Sequence, residues 1–217
     1  MRTFLKQVLP VDCLLCDLIS KNNQLICDAC FNTLPQNHQQ QMIHPPSLDQ
    51  VIALFHYEPP ISSLIAQLKF RENLMIAKLF SQYWIDYLHN PINPLPECIL
   101  PVPLHHQRLK ERGFNQALEI AKPIGKYFKI PIDKQHCIKI KNTAAQSSLS
   151  AKKRRDNLKN AFALTRPINA RHVVILDDVM TTGNTISEIA TLLKKSGVAK
   201  VDAWCCAKVE IKPLKMQ

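Results

Sequence analysis

The segment VVILDDVMTTGNT, residues 173–185, brings together residue types that neither a plain buried strand nor a surface turn requires. Its first four apolar residues predict a buried strand, and Asp177 and Asp178 follow directly. Thr181–Thr185 then lead into an apolar helical pattern, so we expect this loop at a helix N-terminus. Backbone N–H groups and hydroxyls at such a place can bind a phosphate, and Gly183 lets the backbone approach it closely.

The two carboxylates cannot bind that phosphate, but they suit sugar hydroxyls or a metal ion. Ligands of open α/β sheets bind beyond the carboxyl ends of the strands, where Asp177 and Asp178 are expected. A ribose 5-phosphate satisfies both parts, with its hydroxyls near the acids and its phosphate held by Thr181, Thr182, Gly183, Asn184 and Thr185. Thr185 and Glu188 suit a capping box at the start of the following helix. The alternative to a ligand site is an Asp-rich turn before a capped helix.

A second constellation lies near the amino terminus, where Cys13-x-x-Cys16 is followed by Cys27-x-x-Cys30. Two such pairs can supply four thiolates to a closed, tetrahedral Zn²⁺ site. A segment this short cannot bury a large core, so the metal would supply its folding free energy. An iron–sulfur cluster and a pair of redox dithiols remain as alternatives.

The composition is that of a globular protein, with 217 residues, 46% of them hydrophobic and 21% charged. No apolar run approaches the roughly 18 residues that span a bilayer, so we expect no membrane insertion. Pro10, Asp12 and Asp17 interrupt any secretory signal, which predicts a cytoplasmic protein with reduced cysteines. The net charge of +11 favours polyanionic partners, although a generically basic soluble protein has the same balance.

Strand and helix patterns alternate along the chain, which predicts a parallel α/β sheet. Strands are expected at 48–57, 97–103, 136–140, 173–176 and 200–209. Amphipathic helices are expected at 73–88, 115–127 and 186–197, with Pro123 weakening the second and Gly197 ending the third. Residues 35–47 are rich in Gln, Pro and His and resemble a linker, which divides the chain into a metal module, 1–45, and a larger domain, 46–217.

Basic residues follow two of the predicted strands. The segment LHHQRLKERGFNQ, residues 104–116, is predicted to be a loop that carries Arg108 and Arg112 beyond a strand end. The run Lys152–Arg155 could close over an anion or follow a nucleic-acid backbone. A solvated loop and a solvated helix face are the respective alternatives.

Segment 173–185 resembles the phosphoribosyl-pyrophosphate (PRPP) motif of type I phosphoribosyltransferases. Further resemblance is to the ComF family of competence-associated proteins, carried by the double CxxC and by segments 64–70, 101–117 and 143–157. The resemblance implies a type I phosphoribosyltransferase-like domain with an amino-terminal zinc-binding module. It implies ribose contacts from Asp177 and Asp178, 5-phosphate contacts from Thr181–Thr185, pyrophosphate near Arg108 and Arg112, and Mg²⁺ bound with PRPP.

The same resemblance implies a PRPP-binding protein that handles single-stranded DNA in the cytoplasm during natural transformation, with a competence helicase or uptake machinery as a partner. The alternative is an active phosphoribosyltransferase that transfers ribose 5-phosphate to a base or amine, although the sequence reveals no acceptor pocket. Phe70 and Phe114 stand beside basic residues and could stack bases, but burial is the expectation for each. We expect Asp177→Ala with Asp178→Ala to remove PRPP binding and to leave the fold intact.

Overall fold

The computed structural model describes residues 11–20, 24–37, 44–89, 94–142 and 160–210. Its strands are β1 Gln50–His56, β2 Cys98–Pro101, β3 Cys137–Lys139, β4 Phe162–Leu164, β5 His172–Met180 and β6 Lys200–Lys208. Its helices are α1 Asp28–Phe31, α2 Ile61–Arg71, α3 Leu74–Leu88, α4 His106–Arg112, α5 Gln116–Phe128 and α6 Asn184–Lys195.

Four strands form the predicted parallel sheet, in the order β1-β6-β5-β2. The strand predicted at 136–140 exists as β3, but it does not belong to this sheet. It pairs with β4 in a separate antiparallel ribbon. The apolar pattern of a three-residue strand does not show which strands it pairs with. Pairing with the central sheet and pairing with β4 would each bury one face of β3.

The pleat of the central sheet divides the core into two layers, because successive side chains of a strand point to opposite faces. Leu176 of β5 and Trp204 of β6 pack with α2, α3 and α5 on one face. Ile175 and Ala203, one residue earlier in each strand, pack with α6 and the β3–β4 ribbon on the other. The result is a helix–sheet–helix sandwich whose central strands are buried on both sides.

Each segment predicted to be a helix is helical in the structure, and one segment predicted to be a loop is an exception. Helix α3 matches the predicted 73–88, and α5 continues through Pro123 to Phe128. The exception is segment 104–116, which was predicted to be a loop and contains α4. His105 caps the start of α4 and Gly113, at φ 77°, ends it, so local capping forms a helix where charge dominates the sequence.

The amino-terminal residues pack directly onto the larger core. Cys13, Ile26 and Leu34 belong to one buried cluster with Phe55 and Phe80. Residues 35–37 of the predicted linker pair with the sheet, since they form an antiparallel bridge and backbone hydrogen bonds with β1. The domain boundary between residues 45 and 46 therefore stays a prediction, and the metal module does not depend on its own small core alone.

Within the described residues, no helix has the length and apolar character that crossing a bilayer requires.

Candidate ligand site and metal centre

The two adjacent acids lie within a strand rather than after it. β5 continues from the predicted 173–176 through to Met180, so the expectation that Asp177 and Asp178 follow the strand end was wrong. The strand extends because Asp177 and Val179 pair in register with Cys205 and Ala207 of β6. Both acids still lie near the carboxyl end of the sheet, but the pleat separates their side chains.

Asp178 points toward the face that α2 and α5 cover. It is 2% exposed, and its Oδ2 lies 2.5 Å from Nζ of Lys69 at the end of α2. Nε2 of Gln116 lies 3.5 Å from Oδ1 of the same carboxylate. A buried carboxylate needs such partners, and through them Asp178 links β5 to α2 and α5.

Asp177 points to the opposite face and is only partly buried. Its Oδ1 accepts a hydrogen bond from the backbone N–H of Asp178, at 2.9 Å. Burial, together with the neighbouring carboxylate of Asp178, raises the pKa of Asp177 well above its usual range. Lys69 partly offsets this effect. Asp177 is therefore the more exposed acid of the pair, and its charged form is disfavoured by burial and by Asp178.

The predicted phosphate loop is a tight turn that ends β5 and starts α6. Helix α6 begins at Asn184, with Gly183 as its N-cap at φ 74° and without a side-chain cap. The capping box expected from Thr185 and Glu188 was therefore wrong, and Glu188 instead accepts a hydrogen bond from the N–H of Asn160. The first-turn amides of a helix have no intrahelical acceptor, and here no side chain caps them.

Gly183 is required by its surroundings as well as by its backbone conformation. A Cβ placed on it would lie 3.3 Å from Cε of Met180 and 3.5 Å from Cγ of Pro45. Ser47 reaches the first turn of α6 as well, since its hydroxyl lies 3.1 Å from that of Ser187. The end of the predicted linker thus packs against the loop and fixes its position.

The two predicted arginines have different environments on α4. Arg112 is 9% exposed, donates to Oε1 of Gln116 at 2.7 Å and lies 6.0 Å from the ring centroid of Phe70. Arg108 is partly exposed. Together with burial, Arg108 lowers the pKa of Lys139. The structure connects Arg112 to Asp178 through Gln116, and the contact of Arg112 with a pyrophosphate stays a prediction.

Lys69 and Gln116 are members of the site that sequence analysis did not single out. The chain of contacts runs from Arg112 to Gln116, to Asp178 and to Lys69. Phe70 was expected to be buried, but it is 74% exposed and lies next to Arg112 of this network. A signal for Lys69 was present, because it follows Ile61 and Ile65 at the i+4 spacing of a buried helix stripe.

The four amino-terminal cysteines converge as predicted, and their Sγ atoms all lie within 4.8 Å of one another. Sγ atoms of Cys16 and Cys27 lie 3.8 Å apart, close to the edge of a tetrahedron with Zn–S distances of about 2.3 Å. The neighbouring thiols of Cys16 and Cys27 raise the pKa of Cys30 to about 12. Such crowding opposes four thiolates unless a cation neutralises them, so this donor set fits a metal such as zinc.

Comparison with known proteins agrees with this arrangement. Residues 117–215 match the phosphoribosyl transferase domain. The DNA utilization protein YhgH of Escherichia coli O157:H7 is 37% identical over 205 residues, which cover 90% of this chain and 89% of that protein. Competence protein F of Haemophilus influenzae is 38% identical over 192 residues, which cover 85% of this chain and 80% of that protein.

Among solved structures, adenine phosphoribosyltransferase from Leishmania tarentolae is similar over 70% of this chain and 61% of that chain, at 18% identity and a TM-score of 0.36. The parallel sheet, the converging cysteines and the relatives that match nearly end to end lead to one conclusion. The chain belongs to the ComF family, whose members join a phosphoribosyltransferase-like domain to an amino-terminal four-cysteine cluster.

Proposed function

We propose that this chain binds PRPP together with Mg²⁺ at the turn between β5 and α6, and that it acts on single-stranded DNA during natural transformation. One observation carries the proposal. Asp177, a partly exposed carboxylate of β5, lies only a few residues before Gly183, where α6 begins without a side-chain cap. The names of the relatives, DNA utilization protein and competence protein, support the DNA-related part.

In this proposal the 5-phosphate of PRPP lies on the amides of the α6 first turn and on the hydroxyls of Thr181, Thr182 and Thr185. The helix dipole adds about half a positive charge at that point. Asp177 accepts from a ribose hydroxyl, while Asp178 keeps Lys69 in position behind it. Mg²⁺ supplies charge neutralisation for the pyrophosphate when it is bound.

The cationic residues of α4 and β3 would serve the anionic part of the ligand. Arg108 and Lys139 are close enough for Arg108 to lower the pKa of Lys139, so the protein concentrates positive charge there. Bringing two such cations together costs free energy that a bound pyrophosphate or nucleic-acid phosphate would offset. Arg112 and Lys69 lie behind them and already have acceptor partners.

The four-cysteine cluster has a structural role in this proposal. Cys13 packs in the same buried cluster as Phe55 of β1, so a zinc ion bound there would fix the amino-terminal segment against the sheet. Four protein ligands complete the coordination shell of zinc, so no position is left for catalysis. A cytoplasmic location and a partner helicase or uptake machinery belong to the proposal as well.

A second candidate function is phosphoribosyl transfer to a base or amine. The match of residues 117–215 to the phosphoribosyl transferase domain favours it. Binding and turnover are compatible, because the same groups that hold PRPP would stabilise the positive charge that develops on the ribose as pyrophosphate leaves.

The test is a titration of the purified chain with PRPP in the presence of Mg²⁺, followed by single-stranded DNA, with pyrophosphate release monitored. The proposal predicts saturable PRPP binding, and DNA binding that weakens steeply with salt. Release of pyrophosphate only when an acceptor is added would identify the chain as a transferase. Absence of PRPP binding by the wild-type chain would refute the proposed site.

A further inference from the structure

A groove lies beside the candidate PRPP site, between α4, the start of α5 and β3. Its volume is about 700 Å³, within the range of about 300–1,000 Å³ typical of sites that bury a small organic ligand. The groove is preformed, because His105 at the start of α4 is bridged to Lys139 of β3. Asn142, after β3, also donates to Gln107 of α4 at 2.7 Å and ties the two elements together.

The floor of this groove is apolar and accessible. Leu109, Ile138 and Ile140 line it, and they are 41%, 40% and 51% exposed, respectively. Ile138 and Ile140 are two residues apart, so they project from the same side of the chain. Three large aliphatic side chains on one concave surface form a patch on which a flat ring can lie.

Rings and positive charges surround that floor. The rings of His105 and His106 lie 4.2 Å apart, centroid to centroid, and Phe114 is part of the same lining. Lys134 and Lys139 add positive charge, whereas the acid of the lining, Glu119, is paired with Lys122 at 2.6 Å. The occupant should therefore carry both a flat apolar ring and negative charge.

We propose that this groove holds unstacked bases of a single-stranded nucleic acid, with a base on Leu109, Ile138 and Ile140 and the adjoining phosphate on Lys134. The inference rests on the proposed function, because it locates the DNA contact. Bases of a duplex are stacked on one another and are not available for such a floor, so single strands are preferred. The cationic helix α4 continues the path for further phosphates.

The first test measures binding of a fluorescently labelled oligo-dT by anisotropy over a series of salt concentrations. Ile138→Ser with Ile140→Ser is expected to weaken binding at least tenfold while leaving the salt slope unchanged, because base contacts are lost and phosphate contacts remain. Lys134→Gln is expected to reduce the slope instead, because it removes a cation of the groove. Leu95→Ser is the control, since Leu95 is 41% exposed and precedes the amino end of β2, whereas the groove adjoins the carboxyl end of that strand. PRPP titration of each variant checks that the fold and the neighbouring site persist.

Wild-type affinity in the Ile138 and Ile140 variant would overturn the groove and leave the proposed DNA handling intact. Failure of the wild-type chain to bind oligo-dT at low salt would remove both. Equal affinity for dTMP and for the oligonucleotide would assign the groove to a free nucleotide and overturn the single-strand proposal. Release of oligo-dT from the wild-type chain by duplex DNA at equal concentration would do the same.

A second measurement needs no variant. An oligonucleotide carrying 5-iododeoxyuridine is cross-linked to the wild-type chain by light, and the attached peptides are identified by mass spectrometry. The proposal predicts cross-links to His106 or Phe114, whose rings line the groove. Cross-links confined to residues outside α4, β3 and the start of α5 would contradict it.

Discussion

Asp178 of the central strand β5 and Lys69 in the last turn of α2 form a 2.5 Å ion pair, and the carboxylate is almost completely buried. Asp177, the next residue along the strand, points to the other face. The acid pair therefore divides into a supporting member and a more exposed member. This division changes the expectation that replacing both acids leaves the fold intact, because the loss of Asp178 removes the partner of Lys69.

Lys69→Ala is expected to lower the free energy of unfolding by about 3 kcal/mol, because it leaves Asp178 buried without its cation. Lys122→Ala is the control, since its pair with Glu119 has a lysine that is 53% exposed, and its loss should cost less than about 1 kcal/mol. Urea unfolding measures both variants. Equal stabilities of the two variants would show that the ion pair with Asp178 contributes nothing beyond a surface pair.

Asp177→Asn is expected to raise the melting temperature at neutral pH, because burial and Asp178 disfavour the charged form of this residue. Below about pH 4 the carboxyl is protonated in both folded and unfolded chains, so variant and wild type should be equally stable there. As the pH rises, the unfolded wild-type chain ionises first and is favoured, so the advantage of the variant should grow until the pH passes the raised folded pKa.

The measurement is calorimetric melting of both proteins from pH 4 to pH 8. For a chain of this size each 1 kcal/mol of relieved repulsion raises the melting temperature by about 2–4 °C. A variant that is less stable than wild type at every pH would contradict the raised pKa.

Gly183→Ala is expected to destabilise the chain by roughly 1 kcal/mol through its left-handed backbone conformation, and to weaken PRPP binding as well. Gly197→Ala provides a matched control, because Gly197 has φ +100° with nothing within 4 Å of an added Cβ. Both variants should lose stability in urea unfolding through the left-handed backbone, and Gly183→Ala additionally through the contact of its Cβ with Met180. Calorimetric titration should show a loss of PRPP affinity for Gly183→Ala alone, and an equal loss in both would contradict the loop assignment.

Elemental analysis is expected to find about one zinc per chain and none in Cys16→Ser. Cys98→Ser should keep its zinc, because Cys98 is buried in the other core layer. Removal of the metal by a chelator should lower the melting temperature, since Cys13 shares a buried cluster with Phe55. Iron in place of zinc, or retention of zinc by Cys16→Ser, would overturn the assignment.

The sequence predicted those elements whose apolar period is clear. α3 and β6 are confirmed within a residue or two, because each buries a regular set of side chains. β5 was predicted too short at its carboxyl end, since Asp177 and Asp178 break the apolar run while their backbone still pairs with β6. The polar side chains therefore suggested that the strand ends at Leu176, although its backbone hydrogen bonds continue to Met180.

Within the candidate site, sequence identified the acids, the turn and the four cysteines, but not the network behind them. Lys69 and Gln116 reach Asp178 only through the packing of α2 and α5 against the sheet, which no local pattern states. Lys69 and Gln116 each occupy a position in the buried stripe of their helix. A polar side chain at such a position is therefore the sequence feature that could have identified them. The run Lys152–Arg155 and segment 143–157 lie outside the described residues, and their roles stay predictions.

Isothermal titration of Mg²⁺ and PRPP into wild-type chain and Asp177→Asn tests the central claim most directly. The account predicts saturable binding by the wild-type chain at about one site per chain. It predicts at least a tenfold weaker affinity for the variant at a pH above the raised folded pKa of Asp177, because a hydrogen bond to a charged carboxylate contributes about 1.5–3 kcal/mol. Equal affinities in a variant that melts at or above the wild-type temperature would show that PRPP binds elsewhere or that Asp177 does not contact it.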